Sequence, residues 1–305
     1  MLAYITRRIL SVVPTIVGVV VIVFVLVRLT GDPARFVLGD LATDEAVSAF
    51  RATHGLDRPL LAQFRSYLGG LLKGELGVSV RYNQSVGRLF AERWPYTLQL
   101  GCASFLVSAV LGISLGIYSA LHAGGLADRL IRYSALVAQA VPGFYLGLLL
   151  IIGIAVKVSW IPAVGAGSIR HLLLPTISVS AYFTALIVRF TRSNMLDALN
   201  QDYVRTAWAK GLGRQVILWK HVFRNSLIVV LTLLATQIKT LFSGVVVTET
   251  VFGWPGIGRL AAQAIMSRDY AVIQGLIVVF TVAVILVNLA IDMAYTFLDP
   301  RITYS

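Results

Sequence analysis

Charge is scarce in this chain. Of its 305 residues, 13% are Asp, Glu, Lys or Arg, about half the share usual in a water-soluble domain. Cysteine occurs once, at Cys102, which excludes an intrachain disulfide and any thiolate metal cluster. Lying in an apolar run, Cys102 reads as a small buried residue. No Gly-x-x-x-x-Gly-Lys-Ser/Thr phosphate loop is present, so a nucleotide-hydrolysing site of that kind is absent. Paired aspartates and a His-x-x-x-His spacing are also missing, which argues against an intramembrane enzyme. No internal repeat and no low-complexity tail are visible.

What the chain has is apolar length. Hydrophobic residues make up 57% of it, gathered in runs that reach the roughly 18–20 residues a spanning helix needs. Continuous runs of that kind are not the alternating strands of a β-barrel. The expectation is an all-α, polytopic membrane protein, one transmembrane domain over 1–305. The six expected spans are 9–27, 97–121, 133–156, 172–190, 227–247 and 271–297. Arg7-Arg8 precede the first run, which is too long for an export signal and reads as an uncleaved span. Pro14 falls near its start. The net charge of +12 need not mean nucleic acid. Basic residues crowd the short loops assigned to the inside (Arg129, Arg132, Arg192, Arg205, Lys210, Arg214, Lys220, Arg224). The outer short loops hold Lys157, Arg170, Arg259 and Arg268. This asymmetry puts both termini in the cytoplasm and the long polar segment 31–95 outside.

Local signals refine the spans. Asp57-Arg58-Pro59 can start a helix whose apolar face is Leu60, Leu61, Phe64, Tyr67, Leu68, Leu71 and Leu72. Gly112 and Gly116 are spaced for close helix–helix contact. Pro142-Gly143 predicts a kink in the third span. Arg189 and Arg192 can snorkel at the inner end of the fourth.

The longest basic interruption between the later spans, 193–226, holds the most informative stretch. On a helix, Val204, Ala207, Trp208, Gly211 and Leu212 form one apolar stripe. Arg205, Thr206 and Lys210 lie on other faces, and Gly211 with Gly213 offers a stop. Two readings fit: an amphipathic helix lying on lipid or on its own bundle, or a docking helix for another protein.

The run Asp202-Tyr203-Val204-Arg205-Thr206-Ala207-Trp208-Ala209-Lys210-Gly211 resembles the cytoplasmic "EAA" motif of bacterial ABC-importer permeases. The resemblance is closest to the dipeptide, oligopeptide and nickel branch. It extends through Leu29-Thr30-Gly31-Asp32-Pro33-Ala34, Gly55-Leu56-Asp57-Arg58-Pro59-Leu60, Gly74-Glu75-Leu76-Gly77-Val78-Ser79 and Leu174-Pro175. Beyond these it covers Arg189-Phe190-Thr191-Arg192-Ser193, Glu249-Thr250-Val251-Phe252-Gly253-Trp254-Pro255-Gly256-Ile257-Gly258 and Leu298-Asp299-Pro300-Arg301. Arg205-Thr206 stand where the broad motif has Glu-Ala, Trp208 is bulkier than expected, and Phe223 replaces a common leucine.

The resemblance implies a coupling helix that sits in a groove of a separate ATPase, with Asp202, Tyr203, Val204, Arg205, Ala207, Trp208, Lys210, Gly211 and Leu212 as its contact set. It implies a second permease, two ATPases holding the ATP and magnesium, and an extracytoplasmic binding protein. No cofactor, metal or nucleic acid is expected in this chain. The implied cargo is a short peptide, with nickel chelates or glutathione-like peptides as alternatives. A stand-alone secondary transporter is the competing class, but the spans hold few of the carboxylates that ion coupling needs.

Two further groups are candidates. Lys239 lies midway along the fifth span, where a cation costs about 2.5–3.5 kcal/mol unless received by a partner or water. With Gln237, Thr240 and Ser243 it is a candidate for the translocation path, the alternative being an interhelical bond. Glu249, Phe252, Trp254, Pro255 and Gly256 lie in a stretch whose Pro and Gly residues break any through-going helix. By resemblance it is an outer gate; a plain connecting loop is the alternative. Asn288 and Asp292 fall one turn apart in the last span.

Overall fold

The computed structural model describes residues 2–29, 32–39, 42–53 and 55–298. Within them, side chains are described except at 2–11, 33, 36–37, 228, 239–243 and 290–298. The helices are α1 (Leu2–Leu29), α2 (Pro33–Leu38), α3 (Asp44–Thr53), α4 (Leu60–Leu72), α5 (Val86–Leu121), α6 (Leu126–Ala140) and α7 (Gly143–Leu150). There follow α8 (Ile169–Leu199), α9 (Asp202–Ala209), α10 (Arg214–Val216), α11 (Arg224–Val251), α12 (Ile257–Met266) and α13 (Tyr270–Leu298). Two π-helical turns, Ile151–Ala155 and Ile217–Phe223, extend α7 and lead into α11.

Among the described residues, four helices are long and apolar enough to cross a membrane, or up to six spans if each of two bent pairs counts as one. The protein is therefore all-α and polytopic. The two pairs are Leu126–Ala140 with Gly143–Ala155, bent by 103°, and Arg214–Leu227 with Val229–Ile238, bent by 41°. The first is sharper than the kink expected at Pro142. Val141 and Pro142 both take extended backbone, since proline disfavours α geometry in the residue before it, and the chain turns there. Two smaller expectations change as well. Helix α1 begins at Leu2, so Pro14 lies inside it, and Cys102 is exposed on α5.

The chain forms two compact units. One draws on Met1–Trp94 and Leu260–Met293. In it, Phe24 of α1 meets the ring of Phe64 edge-on at 5.1 Å, and Arg28 donates to the Gln63 carbonyl at 3.1 Å, which seats α4 on α1. Asp32 caps α2 at the Ala34 N–H and pairs with Arg51 of α3 at 2.6 Å. That pairing holds the Asp32 carboxyl below its ordinary range. Buried Asp269 accepts the Ser79 hydroxyl at 2.5 Å and the Val272 N–H at 3.3 Å, tying the 78–85 turn to the start of α13.

The other unit draws on Pro95–Arg259 and Ala294–Pro300. Its centre is α8, packed against α6, α7 and α11. Gly112 and Gly116 let α5 approach α8 closely: a Cβ at either would fall about a bond's length inside contact with Ile187 or Thr191. Ala135, Ala185 and Val188 form the matching small-residue contact between α6 and α8.

Candidate functional site

The coupling stretch folds as a short helix with a formed stop. At the end of α9, Leu212 N–H reaches the Ala207 carbonyl and Gly211 N–H the Trp208 carbonyl, with Gly211 at φ +73°. This is the paired bond pattern of a glycine-terminated helix, and it requires the left-handed residue that glycine supplies without strain.

The apolar stripe does not stay on one side. Val204 (2% exposed) and Ala207 (5%) turn into the chain's own core, where they join Ala120, Met195, Ala198, Ile217 and Val222. Leu212 packs at the edge of that cluster. Trp208 is 52% exposed, and Asp202, Tyr203, Arg205, Lys210 and Gly211 are exposed with it. Of the two sequence readings, packing on the chain's own bundle holds for one edge of the stripe. One edge of the stripe roots α9 on α5, α8 and the 217–223 turn. The free face carries aromatic and cationic groups. Ala207, expected as a point of close approach for a partner, is covered by this chain instead.

The Glu249–Gly258 stretch is a packed turn. Glu249 is fully buried and accepts three bonds: from the Thr97 hydroxyl at 2.6 Å, the Gly258 N–H at 2.7 Å and the Arg259 N–H at 3.2 Å. Thr97 Oγ1 in turn accepts from the Ile257 N–H at 2.8 Å. The carboxylate so satisfies the free N–H groups at the start of α12. Phe252 and Trp254 are buried, and Trp254 donates to the Tyr96 carbonyl at 2.9 Å. Arg259 donates to the Gly253 carbonyl. Gly256 has no room for a side chain, because its Cβ would fall on the Glu249 carboxylate. Pro255 closes the turn just before α12.

Of the path candidates, Gln237 is buried on α11. The side chains of Lys239, Thr240 and Ser243, and that of Asp292, lie outside the described residues.

Sequence reasoning missed one buried pair. Asp128, at the start of α6, is fully buried and receives both Nε (2.7 Å) and Nη2 (2.9 Å) of Arg192 on α8. Arg192 was expected to reach toward the lipid surface; it turns inward because a carboxylate waits there. Arg189 is the exposed one and donates to Gln139 at 2.7 Å. The available signal was a lone acid just after Gly124-Gly125, on a loop otherwise basic.

Comparison with known proteins agrees with this architecture. Residues 112–304 match the family model "Binding-protein-dependent transport system inner membrane component", and residues 1–101 match the N-terminal model of the same membrane components. A glutathione transport system permease protein, GsiC of Escherichia coli, is 39% identical over 305 residues, covering 100% of both chains. A probable peptide ABC transporter permease protein of Sinorhizobium fredii is 38% identical over 310 residues, covering 99% of both. A solved structure of the MetNI methionine ABC transporter superposes with a TM-score of 0.59 at 16% identity, covering 69% of this chain and 96% of that one, which shows a shared fold. Full-length relatives of this kind leave no room for a stand-alone carrier or an enzyme. The chain belongs to the inner-membrane components of binding-protein-dependent transport systems: it is a multi-pass permease subunit of an ABC importer of the peptide class.

Proposed function

We propose that this chain is one half of the path by which glutathione-like and related short peptides enter the cell, driven by ATP hydrolysed in separate subunits. It works as a single permease domain with six spans, both termini cytoplasmic and the 31–95 segment outside. A second permease completes the path, two ATPases bind below, and an extracytoplasmic binding protein delivers cargo above. The observation that carries the mechanism is the division of α9. Val204 and Ala207 fix it to the bundle, while Tyr203, Arg205, Trp208 and Lys210 face outward for an ATPase groove. The rooted edge passes motion to α5 and α8; the free face receives it. The likeness to a glutathione permease and to a peptide permease supports a peptide-class cargo, glutathione-like peptides among them, over nickel chelates. The buried turn held by Glu249 and Thr97 is read as a rigid outer abutment for the gate, and Gln237 with Lys239, Thr240 and Ser243 as path lining.

The test is ATP-dependent uptake of radiolabelled glutathione by cells carrying the complete transporter, with nickel and unrelated dipeptides as parallel probes. Trp208→Ala should lower glutathione uptake at least fivefold while the protein still inserts and co-purifies less ATPase. Uptake of nickel but not glutathione would overturn the cargo; purification without any ATPase would overturn the coupling.

A further inference from the structure

The Asp128–Arg192 pair sits beside the cluster that seats α9. Ser119 of α5 donates its hydroxyl to Asp128 Oδ1 at 2.6 Å, and the Gly124 N–H reaches Oδ2 at 2.9 Å. With the two Arg192 bonds, the carboxylate accepts four, from α5, from the α5–α6 turn and from α8. Every lone-pair direction of a carboxylate is then used. The neighbours of these groups in sequence are the seat of α9: Ala120 follows Ser119, and Met195 lies one turn beyond Arg192, both in the cluster that buries Val204 and Ala207. On the far side, α6 packs on α8 through Ala135, Ala185 and Val188. Besides that smooth, small-residue contact and the exposed Arg189–Gln139 bond, α6 is tied to α8 and α5 through Asp128.

We propose that Asp128 and Arg192 are positioning residues for energy coupling: the pair makes α6 move as one body with α8, α5 and the seat of α9, so that displacement of the coupling helix reaches the bent span. The inference rests on the coupling reading above. A bidentate pair whose carboxylate is buried and fully bonded suits the task. Breaking it would leave the Asp128 charge, which has no exposed surface, without its counter-charge, so the joint opens rarely. The contact of Ala135 with Ala185 and Val188 carries no such penalty and allows sliding by itself.

The experiment uses the whole transporter, purified from native membranes into nanodiscs, in a Cys102→Ser background. Spin labels go on exposed positions of α6 (Tyr133→Cys) and of the 217–223 turn (Lys220→Cys), and distances are measured without nucleotide and with ATP trapped by vanadate. In the otherwise native protein the distance should be the same in both states. Asp128→Asn keeps the size but not the charge; Arg192→Lys keeps the charge but not the fork. Both should introduce a nucleotide-dependent distance and lower glutathione uptake per ATP hydrolysed about fivefold or more, the lysine variant less than the asparagine. A purely structural role would lower uptake and hydrolysis in proportion and leave the distance alone; that result overturns the inference. So does a nucleotide-dependent distance in the native pair. Loss of the assembled transporter in both variants would make the pair a folding element and likewise overturn it. A preparation that contains no ATPase overturns the coupling reading itself, and this inference falls with it.

Discussion

Asp128 and Glu249 are both carboxylates with no exposed surface; each accepts a hydroxyl and backbone N–H, and they differ in whether a cation joins them. Asp128 has a full counter-charge in Arg192. Glu249 has no basic side chain paired with it among the described residues; a threonine hydroxyl and the first N–H groups of α12 receive it instead. A charge pair weakens slowly with distance, so a joint built on it tolerates small displacements. A carboxylate held by directional bonds to backbone loses them steeply when the angle or distance changes. The α6 end of the bundle thus carries a joint that can be loaded, and the 249–258 turn a fixture that cannot yield without coming apart.

The hardest challenge to that contrast is at Gly256. Gly256→Val drives a side chain onto the Glu249 carboxylate. It should abolish the folded protein, seen as loss of the monodisperse peak in size-exclusion chromatography; a normal peak would show that the outer turn yields after all. Thr97→Val comes next. It removes one hydroxyl that both donates to Glu249 and accepts from Ile257, leaving two buried groups short of a partner. A loss of about 2–4 kcal/mol is expected, read as a lowered melting temperature in detergent. Ala207→Phe should cost about 1–3 kcal/mol by overfilling the α9 seat. Trp208→Ala, one residue on, should stay within about 0.5 kcal/mol because half of that side chain is exposed. Equal costs at these neighbours would erase the distinction between the rooted and free faces of α9.

The smallest effect belongs to a third carboxylate, Asp32, which like its partner Arg51 is partly exposed. Its folded pKa lies below the unfolded one, so its contribution is present above about pH 4 and fades as pH falls below that value. Asp32→Asn should flatten the acid limb of the melting curve slightly and leave neutral pH nearly unchanged. A large effect at neutral pH would mean that exposure is the wrong axis for ranking these acids.

Much of this was legible beforehand, for identifiable reasons. The four long spanning helices follow from apolar length, the α5–α8 crossing from Gly112 and Gly116, a break in the chain from Pro142, and the end of α9 from Gly211. Each is a local rule acting over a few residues. The buried clamps were not legible because their halves are far apart in sequence. Thr97 and Glu249 lie 152 positions apart, and Arg192 lies 64 from Asp128. An arginine at the end of an apolar run looks the same whether it reaches for lipid or for a hidden acid. The stripe of α9 failed differently. Periodicity finds an apolar face but cannot say which of two apolar surfaces it meets, so Ala207 and Trp208, consecutive in sequence and about 100° apart around the helix, were read as one stripe, and only Ala207 is buried.

Helix α5 has a geometric consequence of its own. It supplies the hydroxyls for both carboxylates, Thr97 for Glu249 and Ser119 for Asp128. Along an α-helix those positions are about 33 Å apart, close to the depth of a bilayer's oily interior. A single helix is therefore pinned at either end. A tilt imposed at the Ser119 pin is carried to the Thr97 pin by the helix itself, with no relay of side chains between. Under the proposed coupling, its first sign at the far end belongs at Tyr96 and Trp254, where that helix meets the buried turn.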